Sequence, residues 1–335
     1  MNILYVVPDL NKVSGGPRTR ITMFKNVFIK NGGVVIENGD KLFKSIKPRK
    51  LNLVYVESAT NRVGLLDVVS LFFLRLYSKR VTVFIRDIYI ELFPEEYKKP
   101  RKKITLILNK ISNFYLALIA TDMVFPTKDM GKVFFEKNNF YPSREYTDLP
   151  PGTLKTNKSY SIPSFNKKVG ILYLGSTKYA NAGFDKFIDF SRAYSKYYNF
   201  FVLSGDKGLA SKFKEEEIAF DKVVHSEIPS FIKNHNIAFA IHTRPRNLYD
   251  DLTFPIKVLD FVAMQLPFFS ERHVPIVKLL GESYPLFYGL TNQEKIHLFI
   301  QNMDEETYTS VVEHFKEVTS RNSYDKRYKK LLSQQ

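Results

Sequence analysis

The chain has 335 residues, 44% of them apolar, no cysteine and a formal net charge of +16. Its length favours two domains, and the missing cysteines exclude a disulfide framework and a thiolate metal site. The charge calls for an anionic partner, whether nucleic acid, an anionic membrane or a phosphate-bearing substrate.

That charge is uneven, with 25 Lys+Arg against 14 Asp+Glu in residues 1–150 and 25 against 20 in the remainder. The start MNILYVVPDL has no basic segment followed by an apolar one, so no signal peptide is expected. The nearest approach to a membrane span, Ile104–Ala120, carries Lys110, Ser112 and Asn113 and is too polar to cross. The expected location is the cytoplasm, peripheral on the inner membrane face at most.

In chain order, ILYVV, VVI, LVYV, VTVFI and MVF are short runs rich in Val, Ile, Tyr and Phe, as buried parallel strands should be. Helical patterns alternate with them. In PRTRITMFKNVFIKNG, Pro17 suits a first helical position, Ile21, Phe24, Val27 and Phe28 form one stripe, and Gly32 can end the helix. The alternation predicts a doubly wound α/β domain over residues 1–150; a C-terminal helix at about 315–335 is expected to complete it. DLPPGTLKTNKSYSIPSFNKK has no period and predicts a linker. A second α/β series over 151–314 follows, with strands at KVGILYLGS, FFVLSGD, KVV, IAFAI and LPFF. Two such units suggest a ligand cleft between them.

Ser14-Gly15-Gly16 lies between the first strand and its helix. Glycines there let backbone approach a ligand, and a helix N-terminus suits phosphate. An ordinary tight turn is the alternative, because the spacing is not that of the nicotinamide fingerprint. Arg18 and Arg20 add to the anion reading. The second half repeats the arrangement with Gly175-Ser176 and a helix beginning near Gly183, and Gly205-Asp206 follows the next strand. Near the end, DLTFPIKVLDFVAMQLPFF carries Lys257 and Asp260 one turn apart in an apolar run, so both can share a face.

SGGP, LPPG, YLGS, VLSGDKG and FPIKVLDFVAMQLPFF, in that order, resemble GT-B glycosyltransferases, in particular the retaining group related to family 4. The resemblance implies two Rossmann-like domains facing each other across a cleft, with the acceptor side first and the nucleotide-sugar side second. It implies transfer of a sugar from a UDP- or GDP-linked donor to a hydroxyl, with retention and without a metal or other cofactor. Lys257 matches the family's diphosphate-facing lysine, and Asp260 the acidic residue that accepts from ribose hydroxyls. Gly15, Gly16, Gly175, Ser176, Lys178, Gly205, Asp206 and Arg244 join them as the expected nucleotide site. Asp251, Thr253 and Phe254 are expected at the donor sugar.

The pattern departs from the family at four places. Ser176 and Ala182 stand where basic residues are usual, with Lys178 close enough to substitute. Leu252 stands where the first of two glutamates falls, unless Asp251 replaces it, and Gln265 replaces a glycine. Arg86 and Asp87 occupy the position of the family's acceptor-side pair. Asp87 could orient or deprotonate the attacking hydroxyl, or simply cap the next helix.

The six histidines show no metal-ligand spacing. FFLRLYSKR and YKKPRKKITLILNK combine basic and aliphatic residues and suit an anionic membrane surface, or else a solvated face. A glycan or polyprenyl-linked acceptor is expected and no specific nucleic acid. The alternatives are a basic nucleic-acid-binding module, an inactive GT-B relative and a GT-B sugar-nucleotide epimerase.

Overall fold

The computed structural model describes residues 2–13, 15–37, 51–57, 63–154, 162–178 and 180–333. Ser14 of the first glycine turn and residues 155–161 of the linker lie outside the described residues. The chain forms two compact units. The first is Met1–Gly152, Leu252–Phe254 and Tyr324–Gln335; the second is Thr153–Asp251 and Pro255–Ser323.

In the first unit the apolar run ILYVV becomes β1 (Ile3–Val7), buried along its whole length. It sits inside a six-stranded sheet of order β2-β1-β3-β4-β5-β6, with β2 Val34–Glu37, β3 Leu51–Glu57, β4 Ser78–Phe84, β5 Asp122–Phe125 and β6 Glu145–Asp148. Every neighbouring pair is parallel. The connecting helices are α1 (Gly15–Lys30), α2 (Leu65–Tyr77), α3 (Pro100–Ile119) and α4 (Lys128–Lys137). The stripe expected on α1 is the one buried: Ile21, Phe24, Val27 and Phe28. Its rings pack on the sheet, with Tyr5 stacked on Phe28 at 4.5 Å and Phe24 edge-on to Tyr55 at 5.6 Å.

Arg20 is buried on the same helix face, so it cannot serve a ligand as expected. Its Nε donates to Glu57 Oε1 at 2.8 Å, its Nη1 to Leu149 O at 3.2 Å and its Nη2 to the Tyr55 hydroxyl at 3.2 Å. The Tyr5 hydroxyl donates to the other Glu57 oxygen at 2.8 Å. Arg18 remains exposed.

The second unit holds a five-stranded parallel sheet of order β11-β10-β7-β8-β9, with β7 Gly170–Leu174, β8 Asn199–Leu203, β9 Ile218–Asp221, β10 Ile237–His242 and β11 Phe268–Ser270. The strand expected at KVV is displaced to Ile218–Asp221. Residues 222–224 leave the sheet, and Val224 is 65% exposed. Its helices include α5 (Phe184–Tyr194), α6 (Leu248–Leu252), α7 (Ile256–Ala263), α8 (Val274–Leu280), α9 (Gln293–Gln301) and α10 (Glu305–Arg321).

The helix that closes the first unit is α11 (Tyr324–Ser333) and not the longer stretch from about 315. Tyr308, Val311, Val312, Phe315 and Val318 of α10 are buried in the second unit's core, which keeps α10 there. From α11, Tyr328 packs edge-on to Phe28 at 4.9 Å, and Leu331 O accepts from Arg80 Nη1 at 2.9 Å.

Candidate anion site at the carboxyl edge of the second sheet

Strand order reverses between β7 and β10, the first and fourth strands of the second sheet. Loops leaving the carboxyl ends of two such strands run in opposite directions and leave a crevice, which is where open α/β sheets bind ligands. Three groups meet there. Gly175 follows β7, Thr243 and Arg244 follow β10, and Lys257 lies in the first turn of α7.

Lys257 is partly buried, with its Nζ 5.2 Å from the centre of the Tyr173 ring. Gly175 has φ +121°, a conformation side chains rarely adopt, and a Cβ placed on it would lie 3.5 Å from Lys257 Nζ. Glycine therefore makes the turn and keeps the ammonium uncovered. Among the described residues Lys257 has no hydrogen bond and no ion pair, only the ring face. Burial, and then the nearby Arg244, lower its pKa to about 8, against the opposite pull of the Asp250 carboxylate. An amine so placed keeps its charge at the cost of desolvation and gains from any anion that arrives.

Arg244 pairs with buried Asp250, which also accepts from Asn247 Nδ2 at 2.6 Å. His242 ends β10 fully buried. Burial first, then Lys257, His273 and Arg244, push its pKa well down, so it stays neutral. Its Nδ1 is 3.3 Å from Ser270 Oγ, and its Nε2 has no partner among the described residues. His273 Nε2 lies 3.1 Å from Arg244 O and steadies that loop. Gly183 packs against Thr243, and its α-carbon leaves no room there for a side chain.

Ser176, Thr177 and Lys178 are held by Asp206. Its Oδ2 accepts from Ser176 Oγ at 2.9 Å, Thr177 N at 2.7 Å and Thr177 Oγ1 at 3.1 Å, and Lys178 Nζ lies 3.7 Å from Oδ1. Burial opposes ionisation of Asp206, but the Thr177 and Ser176 hydrogen bonds and the Lys178 charge hold its carboxyl below the usual range. Asp206 thus clamps the loop that carries Gly175, and Gly205 beside it is exposed with open space around its α-carbon.

Lys257 and Asp260 do not pair. Asp260 Oδ1 lies 3.3 Å from His225 Nε2, and that hydrogen bond raises the His225 pKa. Asp251 is engaged elsewhere. Its Oδ1 accepts from Val274 N at 3.0 Å, at the start of α8, and its Oδ2 from Arg246 Nε at 3.0 Å. Thr253 and Phe254 belong to the first unit, where neighbouring Leu252 is buried and its carbonyl accepts from Thr127 Oγ1 at 2.6 Å.

In the first unit, Gly15 (φ +63°) and Gly16 open α1 beyond the end of β1. Arg86 and Asp87 follow β4 at the same sheet edge, two strands away. They form an ion pair, with Arg86 Nη2 2.8 Å and Nε 3.1 Å from Asp87 Oδ2. The other oxygen, Oδ1, faces Tyr89 N at 3.5 Å, a long contact for a cap.

Tyr173 and Asp250 complete the lysine and arginine environments, and sequence reasoning missed both. Asp250 had a signal, since it is a second carboxylate beside Asp251 six residues after Arg244.

No family model matches the chain, and neither does any curated protein. Solved structures do. An alpha-glucosyltransferase (AGT), in complex with UDP and a 13-mer DNA containing a HMU base, is 13% identical with a TM-score of 0.68 over 99% of each chain. The E. coli trehalose-6-phosphate structure bound with UDP-2-fluoro glucose is 9% identical with a TM-score of 0.66, over 99% of this chain and 98% of that one. The alpha,alpha-trehalose 6-phosphate synthase of Burkholderia multivorans gives the same figures. At such identities the likeness defines a fold. The chain is an α/β protein of the GT-B class, with two Rossmann-like domains.

Proposed function

We propose that the chain is a glycosyltransferase moving a sugar from a nucleotide-diphosphate sugar to an acceptor hydroxyl. One observation carries the reading: a partly buried ammonium, Lys257, that among the described residues has no hydrogen bond and no ion pair, at the strand reversal of the second sheet, where the nearest carboxylate, Asp250, is already paired with Arg244. Two cations, Lys257 and Arg244, share the one carboxylate of Asp250, and a pyrophosphate supplies the remaining negative charge. The UDP and UDP-sugar bound to the similar structures fit the same chemistry.

In this reading Lys257 and Arg244 stabilise charge developing on the departing diphosphate. The Gly175–Lys178 loop, clamped by Asp206, shapes the phosphate pocket, and Asp260 accepts from the ribose. Transfer proceeds with retention, by front-face attack through an oxocarbenium-like transition state, in an enzyme related to family 4. No metal is required, because fixed cations do its work. Arg86 and Asp87 serve a glycan or lipid-linked acceptor, with Asp87 orienting the attacking hydroxyl. A nucleic-acid acceptor is a second reading, favoured by the excess of cations in residues 1–150 and by the DNA bound to AGT.

The test is thermal melting with UDP, GDP, ADP and CDP. A ligand at one hundred times its Kd adds about 2.7 kcal/mol to the native state. At least one nucleotide is expected to raise Tm, and Lys257→Ala to erase the rise. A flat response to all four removes the donor site. Asp87→Asn is expected to stop transfer while leaving nucleotide affinity intact; unchanged turnover would strike Asp87 from the mechanism.

A further inference from the structure

Helix α3 is apolar on two opposite sides. One side buries Leu116, Ala117 and Ile119 in the first unit's core. The other carries Ile104, Ile107, Ile111 and Leu118, spaced three, four and seven residues apart, which is helical periodicity. These four are 49–61% exposed. A helix covering only a core needs one such stripe, with polar residues opposite.

The outward stripe continues onto α2 through Phe72, Phe73 and Leu76, which are also exposed. Tyr115 Oη donates to Val68 O, and Val63 N to Ser112 Oγ at 3.2 Å, which ties α2 to α3. Phe140 extends the patch by stacking on Phe114. An apolar surface of this extent on a folded chain marks an interaction site.

The charges beside it are unusual in their placement. Lys99, Arg101, Lys102 and Lys103 crowd the start of α3 and are exposed. None of the four has an ion pair among the described residues, and α3 contains no acidic residue. The start of a helix is its positive end, where cations cost helix stability. Four of them there do nothing for α3 itself and suit an anionic surface outside the chain.

We infer that the α2–α3 face docks on an anionic phospholipid bilayer, with the isoleucine row entering the acyl boundary and the four cations meeting headgroup phosphates. The combination of aliphatic row and cations selects this occupant. A second copy brings the same cations against only two neighbouring carboxylates, Glu95, already paired with Lys98, and Glu96, already accepting from the Tyr89 hydroxyl. Duplex DNA satisfies the cations and leaves the aliphatic row in water. Among the described residues no helix is long and apolar enough to cross a membrane, so α3 lies along the surface. The inference goes beyond the donor site and is tested without nucleotide.

The experiment is sedimentation of the full chain with vesicles of phosphatidylglycerol and phosphatidylcholine, against vesicles of phosphatidylcholine alone, at low and high salt. Binding is expected only with the anionic vesicles, weakening as salt rises. Lys102→Gln with Lys103→Gln should lower partitioning about thirtyfold, the loss for two charges near such a surface. Ile107→Ser with Ile111→Ser should lower it at least tenfold with Tm unchanged, since both side chains already face water. Equal binding to both vesicle types, no binding, or unchanged partitioning of either double variant overturns the inference. So does a dimer that the isoleucine variant dissolves while vesicle binding is absent, or binding to duplex DNA that the isoleucine variant leaves intact in a protein indifferent to vesicles.

Discussion

Replacing Lys257 by methionine is expected to make the ligand-free protein more stable while removing its affinity for nucleotide diphosphates. The amine's pKa falls from 10.5 in an unfolded chain to about 8 in the fold, burial being the main cause. Below pH 8 the folded protein therefore carries a desolvated ammonium that the unfolded chain keeps hydrated. At about 1.4 kcal/mol per pH unit the fall from 10.5 to about 8 costs ~3–4 kcal/mol, and solvent access to the partly buried group reduces this toward ~2 kcal/mol.

The sign follows from proton counts. Between pH 8 and 10.5 the unfolded chain holds the extra proton, so stability of the natural protein rises with pH across that window. Methionine has similar length and no charge, so the variant should lack this rise and melt about 3–10 °C higher at pH 7. A bound pyrophosphate returns the charge to Lys257, so nucleotide affinity of the natural protein should fall as pH climbs above about 8. Differential scanning calorimetry at pH 7 and pH 10, with and without nucleotide, reads all three effects. A variant that melts at or below the natural protein at pH 7, or that keeps its nucleotide-induced shift, refutes the argument.

Asp206→Ala should free the 175–178 loop and weaken nucleotide binding about tenfold by titration calorimetry. The natural protein should lose the Asp206 contribution as pH falls through the carboxylate range, so the two melting curves should converge in acid. Gly183→Ala forces a Cβ to within 2.0 Å of Thr243 O at a φ of +67°; a loss above about 2 kcal/mol is expected in urea unfolding. Glu57→Gln leaves the buried Arg20 guanidinium without a counter-charge and should cost about 3–5 kcal/mol by the same measurement.

Much of this architecture is legible in the chain because parallel strands buried on both faces are short continuous apolar runs. ILYVV, LVYV, VTVFI, MVF and IAFAI all became strands. Glu145–Asp148 escaped because EYTD is polar, as an edge strand allows. KVV misled because its valines mark the exit from the sheet. Assigning α11 to the first unit depends on contacts such as Arg80 with Leu331, 251 positions apart, which no local pattern encodes. At the site, Lys257 stood out as a lone cation in an apolar helix. Tyr173 beneath it did not, since a tyrosine in a buried strand reads as core. Arg20 looked like a ligand residue because its partner, Glu57, is 37 positions away and reaches it only through the strand order.

The first unit starts at the amino terminus, yet α11 supplies part of its hydrophobic interior from residues 324–333. During synthesis the ribosome therefore delivers every residue of the second unit before the first can be finished. Until then Phe28 lacks the Tyr328 ring, and the Arg80 guanidinium lacks the Leu331 carbonyl. The later-made unit can reach its native form sooner than the earlier one. Removing a dozen residues from the carboxyl end would damage the half of the molecule encoded first.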